Sequence, residues 1–462
     1  MNQRPGIDTH PVDFMLLVKL NLDLKATRGN ASDVLKTIEN IARIKMDPLR
    51  THGALRLADD TVEPRLVVDD YGLNLLVGFG LRFFLGPQSA RQHAGEEVVQ
   101  NFPPGGLFKT RPIARFGISN RNVPLYLRTM NAEGDKEWLK RVYTSEKGKA
   151  PTDGELDQLY ADWQERSESD LLLVFEAKNR FLTVDFWDAV REALAALNVT
   201  VVSIQDAFTR GDGRDHTGFI DGSSNLKTKM ETDPLYYRSK VYLPHPAPAY
   251  PGEPEYARDC RQYDGGTYLV HRKYEENLAL WKTDKFSVKD QDGKVFTGEE
   301  ARRHAIGRDR ETGKVISRMT GKLLDQEPDS AEVNLGYNES HVLKARGGTT
   351  APFMGPFPPL APGQTNMFNT QDIRIRRRGM HFCEIDPKSG AVRYGLHFIC
   401  FQNNIQQTGF EFINNVWLLN PLFRRSKDGL FDPENGVIRP LEGCYYFVPP
   451  EHRNYPGEVF FD

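Results

Sequence analysis

The sequence predicts an α+β protein in two parts, on three observations. Residues up to about 205 alternate strand and helix patterns in the order β-α-β-β-α-β. That is the ferredoxin-like order, and a sheet of that kind needs a second layer. A further α+β pattern restarts after residue 205 and covers the rest of the chain. The length, 462 residues, exceeds what one ordinary core buries. The expected division is 1–205 and 206–462.

The elements follow in order. Leu16, Val18, Leu20, Leu22 and Leu24 alternate with other residues, which predicts a half-buried strand. Ser32 and Asp33 offer caps for a helix over "DVLKTIENIARIKM", with Leu35, Ile38 and Ala42 on one face. Residues 65–80 predict two strands around "DDYG". "DLLLVFEA" (170–177) predicts a strand, 183–197 a helix and 199–204 a closing strand, with an insertion at roughly 82–168. In the second part, 265–273 predicts a strand, "YEENLALWKT" a helix, 393–402 a strong strand and 409–419 a helix. The Gly- and Pro-rich stretch 345–366 predicts a loop. The sequence alone does not demonstrate a two-fold repetition of the α+β unit.

A net charge of -3 gives no reason to expect nucleic acid or an anionic membrane as partner. No run of about 18 apolar residues predicts a membrane span. The first residues, "MNQRPGIDTHPVDF", lack an apolar h-region and a twin arginine, so a cytoplasmic location is expected. Cys260, Cys383, Cys400 and Cys444 are scattered, with no CxxC spacing for zinc. Cys400, in "HFICFQ", reads as a core thiol, and the set fits a reducing compartment.

Three features carry chemistry. Asp221 lies in "GFIDGSSN", between glycines that mark a sharp backbone path; taken alone it reads as a turn residue. His341, in "NESHVLKA", has no special claim taken alone, because most histidines are surface or satisfied core residues. The run "RIRRRG" reads as a strand with Arg374, Arg376 and Arg378 on one side and Ile375 and Arg377 on the other. Arg377 then points inward, and a buried arginine needs a negative partner, either Asp221 or a bound anion. No Walker loop, Rossmann glycine fingerprint, HExxH or GxSxG competes.

Taken together, these pieces resemble the dye-decolourising peroxidase family of haem enzymes, in an enlarged subgroup. "GFIDGSSN" is similar to the family's Gly-x-x-Asp-Gly motif, and "DGGTYLVHRKYEENLALW" to its Gly-Gly-Ser/Thr-Tyr-Leu-Val strand and Trp-ended helix. "IGRDRETGKVI", "SHV" with Ala345, "IRRRG" and "GLHFICFQNNI" resemble further family segments in the same order. The resemblance implies two ferredoxin-like units with packed antiparallel sheets, of the dimeric α+β barrel type, with haem b in the C-terminal unit. It puts the proximal iron ligand on His341, the distal acid on Asp221, the distal arginine on Arg377 and a haem-covering aromatic on Phe398. It implies that hydrogen peroxide is reduced through a ferryl haem and that dyes, phenols or similar one-electron donors are oxidised. The haem propionates need cations, for which Arg308 and Arg346 are candidates. A carboxylate of unperturbed pKa about 4 as the proton carrier implies an acidic optimum.

The chain departs from the family in places. The interval from His341 to Arg377 is long, the excess being the Gly/Pro-rich 347–365 loop, which could shape haem access or a dimer contact. Arg376 stands where the family commonly has Leu, which leaves Arg376 and Arg378 as alternatives for the distal residue. Asp428, Asp432 and Glu434 are candidates for the carboxylate that polarises the proximal histidine. Trp163, Trp281, Trp417, Tyr445 and Tyr446 are candidates for electron entry at the surface, and "TGEE" (297–300) for Mn(II). The rival readings on the same fold are a haem-binding or haem-delivery protein and a protein that removes iron from haem. Asp221 and Arg377 together favour the peroxidase, because mere binding needs neither.

Overall fold

The computed structural model describes residues 7–8, 12–46, 72–89, 115–118, 124, 127–220, 226–243, 263–317, 320–324, 337–346, 373–387, 389–406, 408–421 and 425–461. The first half supplies β1 (Phe14–Leu22), α1 (Arg28–Lys45), β2 (Asn74–Gly80), α2 (Asp135–Lys147), α3 (Asp153–Ser167), β3 (Leu171–Ala177), α4 (Arg180–Leu194) and β4 (Val199–Phe208). The second supplies α5 (Pro234–Val241), β5 (Thr267–Glu276), β6 (Ser287–Lys289), β7 (Val295–Thr297), α6 (Gly298–Ile306), α7 (His341–Arg346), β8 (Arg376–Arg377), β9 (Met380–Ile385), β10 (Val392–Gln402) and β11 (Ile438–Val448).

The strand order shows the repetition that the sequence hides. The first half orders its strands β4-β1-β3-β2 and the second β11-β5-β10-β9, which is one order used twice. Both are ferredoxin-like. β11 pairs with β2 through Tyr446 opposite Gly80 and Phe447 opposite Phe79, and β4 meets β9 at Phe208 opposite His381. With β5 paired to β10, the antiparallel strands close into a ring.

Closure explains why β1 is buried on both faces rather than one. Leu16, Val18 and Leu20 face outward under α1 and α4, joining Leu35, Ile38, Phe186 and Val190. Each such side chain contributes roughly 1.5–3 kcal/mol. Met15, Leu17 and Lys19 face the ring interior, with Leu172, Val174, Ile399, Phe401 and Tyr446 in one apolar cluster. Polar ties line that interior, and those of Glu442 and Glu176 join the two halves. Lys19 Nζ lies 2.5 Å from Glu442 Oε2, which Gln205 Nε2 also reaches at 3.2 Å. Arg378 donates from Nε and Nη2 to Glu176 at 2.9 and 2.6 Å. Lys273 pairs with Glu384 at 2.5 Å, and His271 Nε2 lies 3.1 Å from His397 Nδ1.

Several boundaries differ from expectation. The first helix starts at Arg28, because Thr27 and Asn30 form a capping box upstream of Ser32 and Asp33. Leu24 lies beyond β1 and is exposed. α4 starts at Arg180, where the Asn179 side chain accepts the Phe181 N–H. β4 runs on to Phe208. β5 runs on through Tyr274 to Glu276, so the expected helix there shrinks to Leu278–Trp281; the β10 and β11 partners on either side hold the chain extended. Residues 65–71 and 347–366 lie outside the described residues. Cys400 is fully buried, as read.

Candidate functional site

β10 has one face inside the ring and one outside. Gly395, His397 and Ile399 are buried, while Tyr394, Leu396 and Phe398 alternate with them and stay half-buried. Residue 395 must be glycine, since a Cβ there would lie 1.9 Å from the Tyr274 carbonyl oxygen. Beside β10, Arg377 pairs with Cys400 and Arg376 with Phe401.

That register sorts the arginines. Arg378 is spent on Glu176 in the interior. Arg376, fully buried, donates from Nε to the Ile7 carbonyl at 3.3 Å and from Nη1 to the Arg377 carbonyl at 2.9 Å. Arg377 alternates to the outer face, with half-buried Ile375. Burial pushes the Cys400 thiol up, and the Arg377 charge beside it pulls the other way.

Three half-buried apolar side chains lie where core clusters border one another. Phe398 touches both the core under α1 and α4 and the cluster of Phe219, Trp281 and Phe286. Ile375 touches the former and the cluster around Phe412 and Trp417, and Phe431 touches the latter two clusters. Their rings run on to His341. Phe398 meets Tyr274 edge-on at 6.2 Å, Tyr274 meets Phe431 at 5.3 Å, and Phe431 stacks on His341 at 5.5 Å.

His341 opens α7, and its side chain is 30% exposed. Nδ1 lies 2.9 Å from Asp428 Oδ2. An ionised carboxylate only accepts, so Nδ1 carries the proton and Nε2 keeps a lone pair. Asp428 is fully buried, and its other oxygen accepts the Leu430 and Phe431 N–H groups at 2.9 and 3.2 Å. The structure thus selects Asp428 from the three candidate carboxylates. Asp432 instead accepts from the Glu434 N–H and the Asn435 side chain. A His with a carboxylate behind its second nitrogen is the donor arrangement of a metal-ligating imidazole. Its partner was hard to find from the sequence, because only an Asp-Gly followed by Leu430 and Phe431 marks it.

The remaining expectations fare unevenly. Asp221 lies outside the described residues. Gly218, three residues before it, has φ of 90°, which supports the sharp path read there. Arg308 is buried and donates from Nη1 to the Gly313 carbonyl at 2.8 Å; the Arg346 side chain lies outside the described set. Trp163, Trp281, Trp417, Tyr445 and Tyr446 are all buried, so none offers a surface entry. Trp163 and Trp281 donate to the Leu441 and Thr217 carbonyls, and Tyr445 donates to Glu411. Glu299 of the acidic cluster is engaged by Arg302 at 2.8 Å. Among the described residues no group of three His, Cys, Asp or Glu is arranged for a metal ion, and no helix is long and apolar enough to cross a membrane.

Comparison with known proteins bears on the fold and on the C-terminal sequence. Residues 361–453 match the family model described as "Dyp-type peroxidase, C-terminal". A DyP-type peroxidase from Cellulomonas bogoriensis is 19% identical with a TM-score of 0.57, over 100% of this chain and 97% of that one. Ferric DtpA from Streptomyces lividans is 17% identical with a TM-score of 0.58, over 100% and 96%. A DypB variant from Rhodococcus jostii RHA1, in complex with heme, is 16% identical with a TM-score of 0.51, over 96% of each chain. At these identities the structures establish a shared fold.

Proposed function

We propose that this chain, which matches the DyP-type peroxidase C-terminal model over residues 361–453 and shares the fold of DyP-type peroxidases, is a haem b-dependent peroxidase that reduces hydrogen peroxide and oxidises dyes, phenols or similar one-electron donors. The observation that carries this reading is the His341–Asp428 pair beside an apolar junction. His341 would ligate the iron through Nε2, with Asp428 holding the tautomer and raising the basicity of the ring. Phe398, Ile375 and Phe431, half-buried where cores meet, suit the faces of a flat apolar ring. Arg308 and Arg346 are the proposed partners of its propionates.

Bound haem would supply the redox-active iron through which the two oxidising equivalents of hydrogen peroxide reach the donors. The protein's part is proton and charge handling. Asp221 would take a proton from one peroxide oxygen and return it to the other, which leaves as water. Arg377, fixed by its strand pairing to Cys400, would stabilise the negative charge that develops as the O–O bond breaks. Hydrogen peroxide, two electrons and two protons balance to two waters.

The test is the visible spectrum of haemin-reconstituted protein before and after one equivalent of peroxide. A Soret band that shifts rapidly and returns on adding a phenolic donor supports turnover. A band that peroxide only bleaches points to haem binding or delivery instead.

A further inference from the structure

We propose that His304 and Glu339 form a buttress that positions His341, a step that rests on the ligand role just assigned to His341. α7 has six residues, too few to be stable alone, so its first residue must be placed from outside. Glu339, two positions before His341, is held at both ends. Its carbonyl accepts the Gly429 N–H at 2.8 Å, and its carboxylate lies 2.5 Å from His304 Nδ1. Gly429 follows Asp428, so this backbone bond is a rung beside the His341–Asp428 bond. Lys344 Nζ adds another by donating to the Ser426 carbonyl.

His304 is itself clamped. Its ring is sandwiched between Phe296 at 3.7 Å and Tyr337 at 3.6 Å, inclined by 20° and 10°. The Tyr337 carbonyl in turn accepts the Ser340 N–H at 2.9 Å, fixing the turn that enters α7. The anchor on α6 therefore reaches His341 through one residue. Glu339 is 2% exposed, so removing its partner leaves a buried carboxylate that must swing away or be hydrated. Either movement shifts the Glu339 carbonyl and with it the His341–Asp428 rung.

His304→Phe keeps the stack and removes the hydrogen bond; Glu339→Gln keeps the shape and removes the charge. In ferrous haem-loaded protein, both should move the iron–histidine stretching band to lower wavenumber. Haem transfer to excess apomyoglobin should be faster by about 10-fold, the lower end of the effect of losing an outer-shell partner. In haem-free protein, amide exchange across 340–346 should also accelerate, while Arg303→Gln, on the exposed side of α6, changes none of these. If both variants keep the wild-type band and transfer rate, the buttress is refuted. If the wild type has no such band, or His341→Ala retains it, the ligand assignment fails instead.

Discussion

Replacing Asp428 by asparagine and by alanine separates two jobs of one carboxylate. One oxygen accepts from His341 Nδ1; the other accepts the Leu430 and Phe431 N–H groups. Asparagine can keep its carbonyl oxygen on the two backbone donors, so its NH2 faces the imidazole. A donor then meets a donor, and His341 must put its proton on Nε2 or turn away. The lost charge-assisted bond is worth about 1.5–3 kcal/mol, or roughly 10–100-fold in haem retention. Haem-free Asp428→Asn should unfold within about 1 kcal/mol of wild type, because the buried backbone donors stay satisfied. Asp428→Ala should lose haem equally and also cost about 2–4 kcal/mol in urea unfolding, since two N–H groups lose their acceptor. Haem transfer to apomyoglobin measures the first effect. Wild-type transfer in Asp428→Asn would refute the reasoning, as would equal haem-free stability of the two variants.

Three further outcomes are expected. Burial, with the His381 charge second, lowers the His216 pKa to about 4, and burial holds His271 and His397 well below the usual value. On unfolding each ring returns to about 6.5 and takes up a proton, so stability should fall as pH drops from 6.5 towards 4; a urea midpoint flat over that range would contradict this. The acidic optimum expected from Asp221 would then be cut off on its acid side by unfolding rather than by chemistry. Arg377→Leu should keep haem and slow the spectral response to peroxide by about 10²–10³-fold, and a rate within twofold of wild type would remove the charge-stabilising role. Glu176→Ala should cost about 3–5 kcal/mol by removing the carboxylate that buried Arg378 reaches through Nε and Nη2, so a cost below about 1 kcal/mol would mean that the pair is not buried in solution.

Strand alternation was legible wherever one face differed from the other. It separated Ile375 and Arg377 from Arg376 and Arg378, and it found β3 and β10, but the inward side was expected to be Arg377's, whereas the ring buries Arg376 and Arg378 and leaves Arg377 half-buried on the outer face. It failed where tertiary pairing outweighed local pattern. "YEENLALWKT" has helical spacing, yet Tyr274 and Glu275 pair on both sides, Glu276 pairs with β11, and all three stay extended. The two buried faces of β1 reflect ring closure, which no local window contains. Asp428 escaped selection for a related reason, because its partner His341 is 87 residues away and only the fold brings them together. The five aromatic candidates turn out to be packing residues, the commoner role for such side chains; hydropathy reports ring type, whereas exposure depends on the layer above.

The ring also sets an order of assembly during synthesis. β2 and β4 are edges of the first half until β11 and β9 arrive from the second. Until then both edges can template wrong pairings. Lys19 is made early, but its counterion Glu442 lies 423 residues downstream. An ammonium has no reason to leave water before its partner exists, so the first half emerging from the ribosome would stay loosely closed and depend on protection until the last strand is released. β11 is therefore a kinetic clasp. A chain cut before Ile438 should accumulate as a binder of holdase chaperones rather than as a smaller stable domain.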